Sequence, residues 1–339
     1  MRRFCIALIV VFLLPVSTTS WALDLSSQYR ALYSSVVTLV TEGTTVDRER
    51  DELTAAEGLG SGVLIDKDGL ILTASHVVQV ADAVGVVFAD GQSVPATVVS
   101  SLPQADLALV RAESVPEGVR PVKLADSSRI EAGNEIFVIG APFGLHSTIT
   151  SGIVSARYQP GSNPRFWLAE MIQIDAAVNK GSSGGPVFDA KGRCIGIVSH
   201  LKTLSGGFEG HGFAVTTNTA RERLIGKPGV WSGLSGKVLG EEMAWIFNLP
   251  EASGGFLVEK VAAGSLGDRL GLIAGTVPAT IRKRKYLLGG DVIMRVNDIP
   301  VAKLKDHYDE LVSSLKPGDT MTLAIMRGGA VMELTGKLQ

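Results

Sequence analysis

At 339 residues the chain is longer than one small core organises, and two domains are expected. Hydrophobic residues make up 45% and charged residues 19%, which excludes a globally disordered chain, and a formal net charge of -2 supplies no field to hold nucleic acid or an anionic membrane. Gly is abundant at 39 residues and aromatics are only 6%, so the Val- and Ile-rich runs read as short strands separated by many turns.

The chain opens with Arg2 and Arg3, an apolar run over 4–16 and the small-residue site Ser20-Trp21-Ala22. This is the pattern of a secretory signal over 1–22, cut after Ala22; its apolar run is shorter than the roughly 20 residues of a spanning helix. Cys5 leaves with it. Cys194 is then alone and forms no internal disulfide; its apolar setting, 194–198, reads as that of a buried structural thiol. A short helix is expected near 25–34. From 36 to 215 strands follow in series, with hairpin turns at 66–69, at Asp90-Gly91 and at 190–192. The charged stretch 46–57 reads as an exposed loop, and 226–229 as a linker with Lys227 and Pro228. The expected division is a signal over 1–22, a β-rich domain over 23–225 and a small α+β domain over 226–339. The last has helical spacing at 241–249, a strand at 255–261, a short helix at 265–270, a strand at 291–296, an amphipathic helix at 306–315 and strands at 320–326 and 331–334. Arg282-Lys283-Arg284-Lys285 reads as a solvated basic run within a loop.

Chemistry concentrates in three places. Asn179-Lys180-Gly181-Ser182-Ser183-Gly184-Gly185-Pro186 holds a serine in a glycine-rich turn. A serine hydroxyl needs a base to become a nucleophile, and a developing oxyanion needs backbone N–H groups from a tight turn. Upstream, His76 follows the strand-like Leu72-Thr73-Ala74-Ser75. Between them Asp106 precedes the apolar Leu107-Ala108-Leu109-Val110, where a carboxylate can be buried against an imidazole. The order His, Asp, Ser is that of chymotrypsin-type barrels, not of subtilisins or α/β-hydrolases. The remaining histidines, His146, His200, His211 and His307, show no metal spacing, and no cofactor motif is present.

With Gly60-Ser61-Gly62-Val63-Leu64-Ile65, Ile139-Gly140-Ala141-Pro142-Phe143-Gly144 and Thr150-Ser151-Gly152-Ile153-Val154-Ser155, these stretches resemble, in family order, the HtrA (Deg) family of trypsin-like serine proteases. The resemblance implies a mainly β fold: a chymotrypsin-like double β-barrel followed by a small α+β PDZ domain. It assigns Ser183 as nucleophile, His76 as general acid and base, Asp106 as its orienter, and the N–H groups of Gly181 and Ser183 as the oxyanion hole. Such proteases usually carry Asn where this chain has Ser182, which puts loop rigidity in question. Trp231-Ser232-Gly233-Leu234 is similar to the carboxylate-binding loop of a PDZ domain, with Ser232 where an apolar residue is usual. The helix from Asp306 would form the other groove wall, and 275–288 is longer than the usual turn there. The implied protein is a periplasmic endopeptidase of unfolded proteins, a homotrimer with 25–33 contributing to the contact, taking C-terminal peptides at the PDZ groove, without metal, cofactor or nucleic acid. The pocket wall, 197–213, lacks an evident acid for basic side chains, so a small or aliphatic P1 residue is expected. A chaperone scaffold with secondary proteolysis and a membrane-anchored signalling protease are the alternatives.

Overall fold

The computed structural model describes residues 24–47, 52–145, 147–227, 229–250 and 254–338. The signal over 1–22, His146, Pro228 and 48–51 of the expected loop lie outside the described residues.

Twelve strands form two closed barrels. The first contains β1 (Val36–Asp47), β2 (Glu52–Leu64), β3 (Leu70–Thr73), β4 (Ala83–Val87), β5 (Ser93–Leu102) and β6 (Leu107–Ala112), hydrogen-bonded in the order β1-β2-β3-β6-β5-β4. The second contains β7 (Glu135–Gly140), β8 (Thr148–Tyr158), β9 (Met171–Ile174), β10 (Pro186–Asp189), β11 (Cys194–Leu201) and β12 (Gly212–Thr216), in the order β10-β11-β12-β9-β8-β7. This is the double barrel that the sequence led us to expect. Several strands are apolar without alternation because both faces are buried. One face fills the barrel, as Leu39, Ile71 and Val110 do in the first. The other faces the second barrel, where Val63, Leu72 and Leu107 share a core with Phe137, Phe188 and Ile197. Phe137 and Phe188 stack at 5.1 Å between ring centroids.

Local chemistry makes the turns. The Asp66 carboxylate accepts the N–H groups of Asp68 and Leu70, at 2.9 and 2.8 Å, and Gly69 supplies the positive φ that closes the hairpin. The expected loop at 46–57 is corrected: β1 and β2 pair in register out to Asp47 and Glu52. Beyond Glu42, where pairing with β4 ends, the arm is a two-stranded ladder whose residues at 43–45 and 54–57 are exposed or half-buried, so it needs no apolar period. The helix α1 (Leu25–Leu32) starts where Asp24 accepts the Ser27 N–H at 3.1 Å. The one-turn helix α2 (Ser75–Val78) follows β3, and α3 (Thr217–Arg223), not anticipated from the sequence, follows β12 with Thr216 as its N-cap.

The C-terminal sheet runs β13-β14-β17-β19-β20, from β13 (Leu234–Leu239), β14 (Gly255–Val261), β17 (Val292–Val296), β19 (Thr320–Arg327) and β20 (Ala330–Lys337). The helices here are α4 (Glu241–Ile246), α5 (Leu266–Arg269) and α6 (Tyr308–Ser314), and β18 (Ile299–Pro300) pairs with β17. The basic run is also corrected. It is the turn of a hairpin, β15 (Val277–Ile281) with β16 (Arg284–Leu288). Arg282 and Lys283 both hold positive φ, 50° and 65°, where Asn-Gly is the usual signal, so the turn was silent in the sequence.

Cys194 is fully buried between the barrels, and burial pushes its thiol up to about 12. The chain from Leu23, in which Cys194 is the one cysteine, is expected to stay unmodified by a thiol-alkylating reagent at neutral pH when folded and to take up one equivalent only on unfolding, read by mass spectrometry. Alkylation of the native protein at the rate of a free thiol would contradict this burial.

Candidate active site

His76 lies on α2 and Asp106 in the turn leading into β6, both from the first barrel. Asp106 has φ 53°, a left-handed conformation that Asp tolerates better than most residues. This bend turns its carboxylate inward, where it is 1% exposed. Its Oδ1 and Oδ2 lie 2.9 and 3.0 Å from His76 Nδ1, and Oδ1 also accepts the His76 backbone N–H at 3.1 Å. The Ser199 hydroxyl donates to Oδ2. Burial pushes the Asp106 carboxyl up, but the hydrogen bond and charge attraction of His76, with the Ser199 hydrogen bond added, bring it below its ordinary value. An ionised Asp106 fixes the proton of a neutral His76 on Nδ1 and leaves Nε2 as the basic nitrogen.

Ser183 comes from the turn before β10, in the second barrel. Its hydroxyl donates to the Ser199 carbonyl oxygen at 3.3 Å. Ser199 on β11 therefore touches both Asp106 through its side chain and Ser183 through its backbone. Among the described residues no hydrogen bond joins Ser183 to His76. Sequence reading placed Ser199 in a strand and gave it no role.

The turn around Ser183 is held from three sides. Ser61, fully buried on β2, donates its N–H to the Ser183 carbonyl at 2.7 Å and its hydroxyl to the Gly181 carbonyl at 2.7 Å, and accepts the Ala141 N–H at 2.9 Å. Ser182, at the position where Asn is usual, accepts the Asn179 N–H on its hydroxyl at 3.2 Å and closes the turn itself. Gly181 has φ 96°, and a Cβ there would lie 2.3 Å from the Ala141 carbonyl oxygen, so no other residue fits. The Lys180 carbonyl accepts the Phe143 N–H at 2.8 Å. In a planar trans peptide the N–H points opposite to the carbonyl, so the Gly181 N–H is turned away from Phe143. Among the described residues the amides of Gly181 and Ser183 have no acceptor. His200 is stacked on Phe213 at 4.9 Å and near Phe166, burial pushes its pKa below the ordinary imidazole value, and it lies 3.1 Å from the Ser199 hydroxyl through Nδ1.

The Trp231–Leu234 loop does not stand free. Trp231 Nε1 donates to the Gln79 carbonyl at 3.0 Å, and Gln79 Nε2 donates to the Ser232 hydroxyl at 2.8 Å and to the Leu234 carbonyl at 3.1 Å. Gln79 is 7% exposed and sits three positions past His76. The carbonyls of Trp231, Ser232 and Gly233 accept from Leu266, Gly267 and Ala262, while the amides of Ser232 and Gly233 have no acceptor among the described residues. Helix α6, the expected groove wall, also leans on the barrels: Tyr308 meets Trp167 edge-on at 5.4 Å, and Asp309 pairs with Arg223.

Two closed six-stranded barrels with His, Asp and Ser gathered where they meet define a chymotrypsin-like peptidase architecture, here joined to a second, sheet-based domain. The match to known families agrees: residues 60–197 fit the trypsin-like peptidase domain and residues 274–338 the PDZ domain. A probable periplasmic serine endoprotease DegP-like of Pseudomonas putida (strain GB-1) is 34% identical over 289 residues, 84% of this chain and 55% of that protein. One of the same description from Brucella suis biovar 1 is 34% identical over 282 residues, 81% of this chain and 51% of that one. The chain thus spans about half the length of these relatives. Among solved structures, the HtrA-type protease AlgW with decapeptide matches with a TM-score of 0.54 and 27% identity, over 92% of this chain and 97% of that one. AlgW with tripeptide matches with the same TM-score and 28% identity, over 91% and 95%. The chain thus carries a trypsin-like peptidase domain followed by a PDZ domain, and it is similar to DegP-like and HtrA-type serine proteases.

Proposed function

We propose that this protein is an exported serine endopeptidase that cleaves unfolded or damaged proteins through an acyl-enzyme. The observation that carries the reading is the buried Asp106 carboxylate on His76 Nδ1, linked through Ser199 to Ser183, beside two amides without acceptors. In the reaction Nε2 of His76 takes the Ser183 hydroxyl proton as Oγ attacks the scissile carbonyl carbon. The Gly181 and Ser183 N–H groups receive the charge on the tetrahedral oxygen. His76 then protonates the leaving amine, and a water, deprotonated by the same nitrogen, releases the acyl group. Asp106 stays ionised throughout and stabilises the imidazolium.

The clients proposed are extended chains, because a cleft between barrels admits a strand and not a folded surface. A small or aliphatic P1 residue is proposed because the wall over 197–213 holds no buried carboxylate among the described residues. The peptidase domain is taken as 23–225 and the PDZ domain as 226–339. Peptide capture at the latter is supported by the acceptor-free Ser232 and Gly233 amides and by the peptides named with AlgW. Periplasmic residence is supported by the relatives, described as probable periplasmic endoproteases, and by the signal pattern; no helix among the described residues is long and apolar enough to cross a membrane. A homotrimer is proposed, with α1, none of whose residues is buried, in the contact.

The test is digestion of casein by the chain from Leu23, with and without prior treatment by a fluorophosphonate, which esterifies only an activated serine. Cleavage that is lost on labelling, with the label on Ser183, is expected. Cleavage that survives complete labelling, or no cleavage and no labelling even with C-terminal peptides added, overturns the reading.

A further inference from the structure

Strand β13 is the edge of the C-terminal sheet: among the described residues it pairs with β14 alone. An edge strand offers unpaired backbone groups to an added strand. Beside it, the β15–β16 hairpin lies across the sheet face where Leu239, Leu257, Val292 and Tyr286 pack together. Alternation puts Lys237 on the same face as Leu239. The result is a groove of about 530 Å³ lined by Lys237, Lys260, Arg284 and Lys285, with Thr45 of the β1–β2 arm at its border.

The charge balance of this groove is one-sided. Its single carboxylate, Glu259, accepts the Leu287 N–H at 3.1 Å. Among the described residues no side chain of Lys237, Lys260, Arg284 or Lys285 has an ion-pair or hydrogen-bond partner, whereas neighbouring Arg282 pairs with Glu242. The hairpin is fixed by the buried Tyr286, with Ile281 and Leu288 packed beside it, so its packing does not need these cations. Like charges confined at a concave surface add their fields and attract an anion. The chain as a whole is slightly acidic, with a net charge of -2, so this is a local departure.

We infer that the groove is a specificity site for acidic peptides, reading carboxylate side chains of a peptide strand added along β13. In an extended peptide alternate residues face one side, about 6.6 Å apart, so acidic residues two positions apart would meet the Lys237–Lys285 side while those between them face the opposite side of the sheet. The hairpin thereby supplies a charged wall that the added strand's backbone contacts cannot. This inference rests on the reading that the 231–239 segment receives peptides.

The test uses the full mature chain carrying Ser183→Ala, so that probes survive. Three fluorescent peptides share one apolar C-terminal tripeptide and differ upstream in carrying Glu, Ser or Lys at alternate positions; binding is read by anisotropy at low and high salt. The acidic peptide is expected to bind about tenfold more tightly than the Ser peptide at low salt, with the gap closing at high salt. The double substitution Arg284→Ala, Lys285→Ala, on the hairpin and off β13, should erase the preference and leave the Ser peptide's affinity unchanged. Equal binding of the three peptides overturns the inference and leaves peptide capture standing. No binding of any peptide overturns both. Binding of anionic vesicles that depends on the same two residues, without a preference among the peptides, reassigns the groove to lipid and overturns the inference as well.

Discussion

The Ser183→Ala variant is expected to digest casein about 10⁶-fold more slowly than the wild type while keeping its fold. The size follows from what is removed. Without Oγ there is no covalent intermediate and no proton for His76 to take, and only binding and the amide donors remain. The fold should survive because the turn is held by backbone and by other side chains. The Ser183 carbonyl still accepts the Ser61 N–H, the Gly181 carbonyl still accepts the Ser61 hydroxyl, and Ser182 still closes onto Asn179. The one interaction lost is the hydroxyl's 3.3 Å contact with the Ser199 carbonyl. Digestion rate and thermal midpoint are therefore measured together. A variant that melts with the wild type and still cuts at a comparable rate would remove Ser183 from the mechanism.

The second large effect belongs to Asp106→Asn, for which kcat should fall about 10⁴-fold with KM little changed. Asp106 accepts from three donors: the His76 backbone N–H, the His76 ring and the Ser199 hydroxyl. An amide can accept on one atom only. If its oxygen keeps the backbone N–H, its NH₂ faces Nδ1 of His76 and the hydroxyl of Ser199. Nδ1 then becomes an acceptor, the ring proton moves to Nε2, and the nitrogen that should receive the Ser183 proton is already protonated. The same exchange removes the anion that stabilises the imidazolium. Steady-state kinetics separate this from misfolding, because a structural lesion would raise KM or lower the active fraction. An unchanged kcat would show that the buried carboxylate orients nothing of importance.

The sequence and the structure divide this protein along a physical line. Interactions close in the chain were legible. Asp66, Asp68 and Gly69 announce their hairpin because the carboxylate reaches amides two and four positions away. The strand and helix of 255–271 were read to within a residue or two, since periodicity, cap and glycine are all local signals. His76, Asp106 and Ser183 stood out because each sits in a short stretch of distinctive composition. Two local readings failed. The β1–β2 arm has no apolar period because it is solvated, and the Arg282-Lys283 turn lacks the glycine that would mark it.

Beyond the His76–Asp106 pair, chain-distant partners were not legible. Ser199 reaches Asp106 across 93 positions, Ser61 reaches Gly181 across 120, and Gln79 reaches Ser232 across 153. Each is an ordinary residue in its own neighbourhood, and nothing nearby in the chain marks it as a partner. By itself the sequence pointed to two domains, to a β-barrel or sandwich and to the residues proposed for acyl transfer, because turn chemistry, strand length and side-chain reactivity are properties of short segments; the double barrel came from the family resemblance. Only the tertiary structure decided which hydroxyl braces Asp106, which way the Gly181 amide faces, how the Trp231–Leu234 loop docks behind α2, and that four cations share one groove. Those depend on barrel closure and sheet packing, which bring distant residues to within hydrogen-bond distance in ways no local pattern encodes.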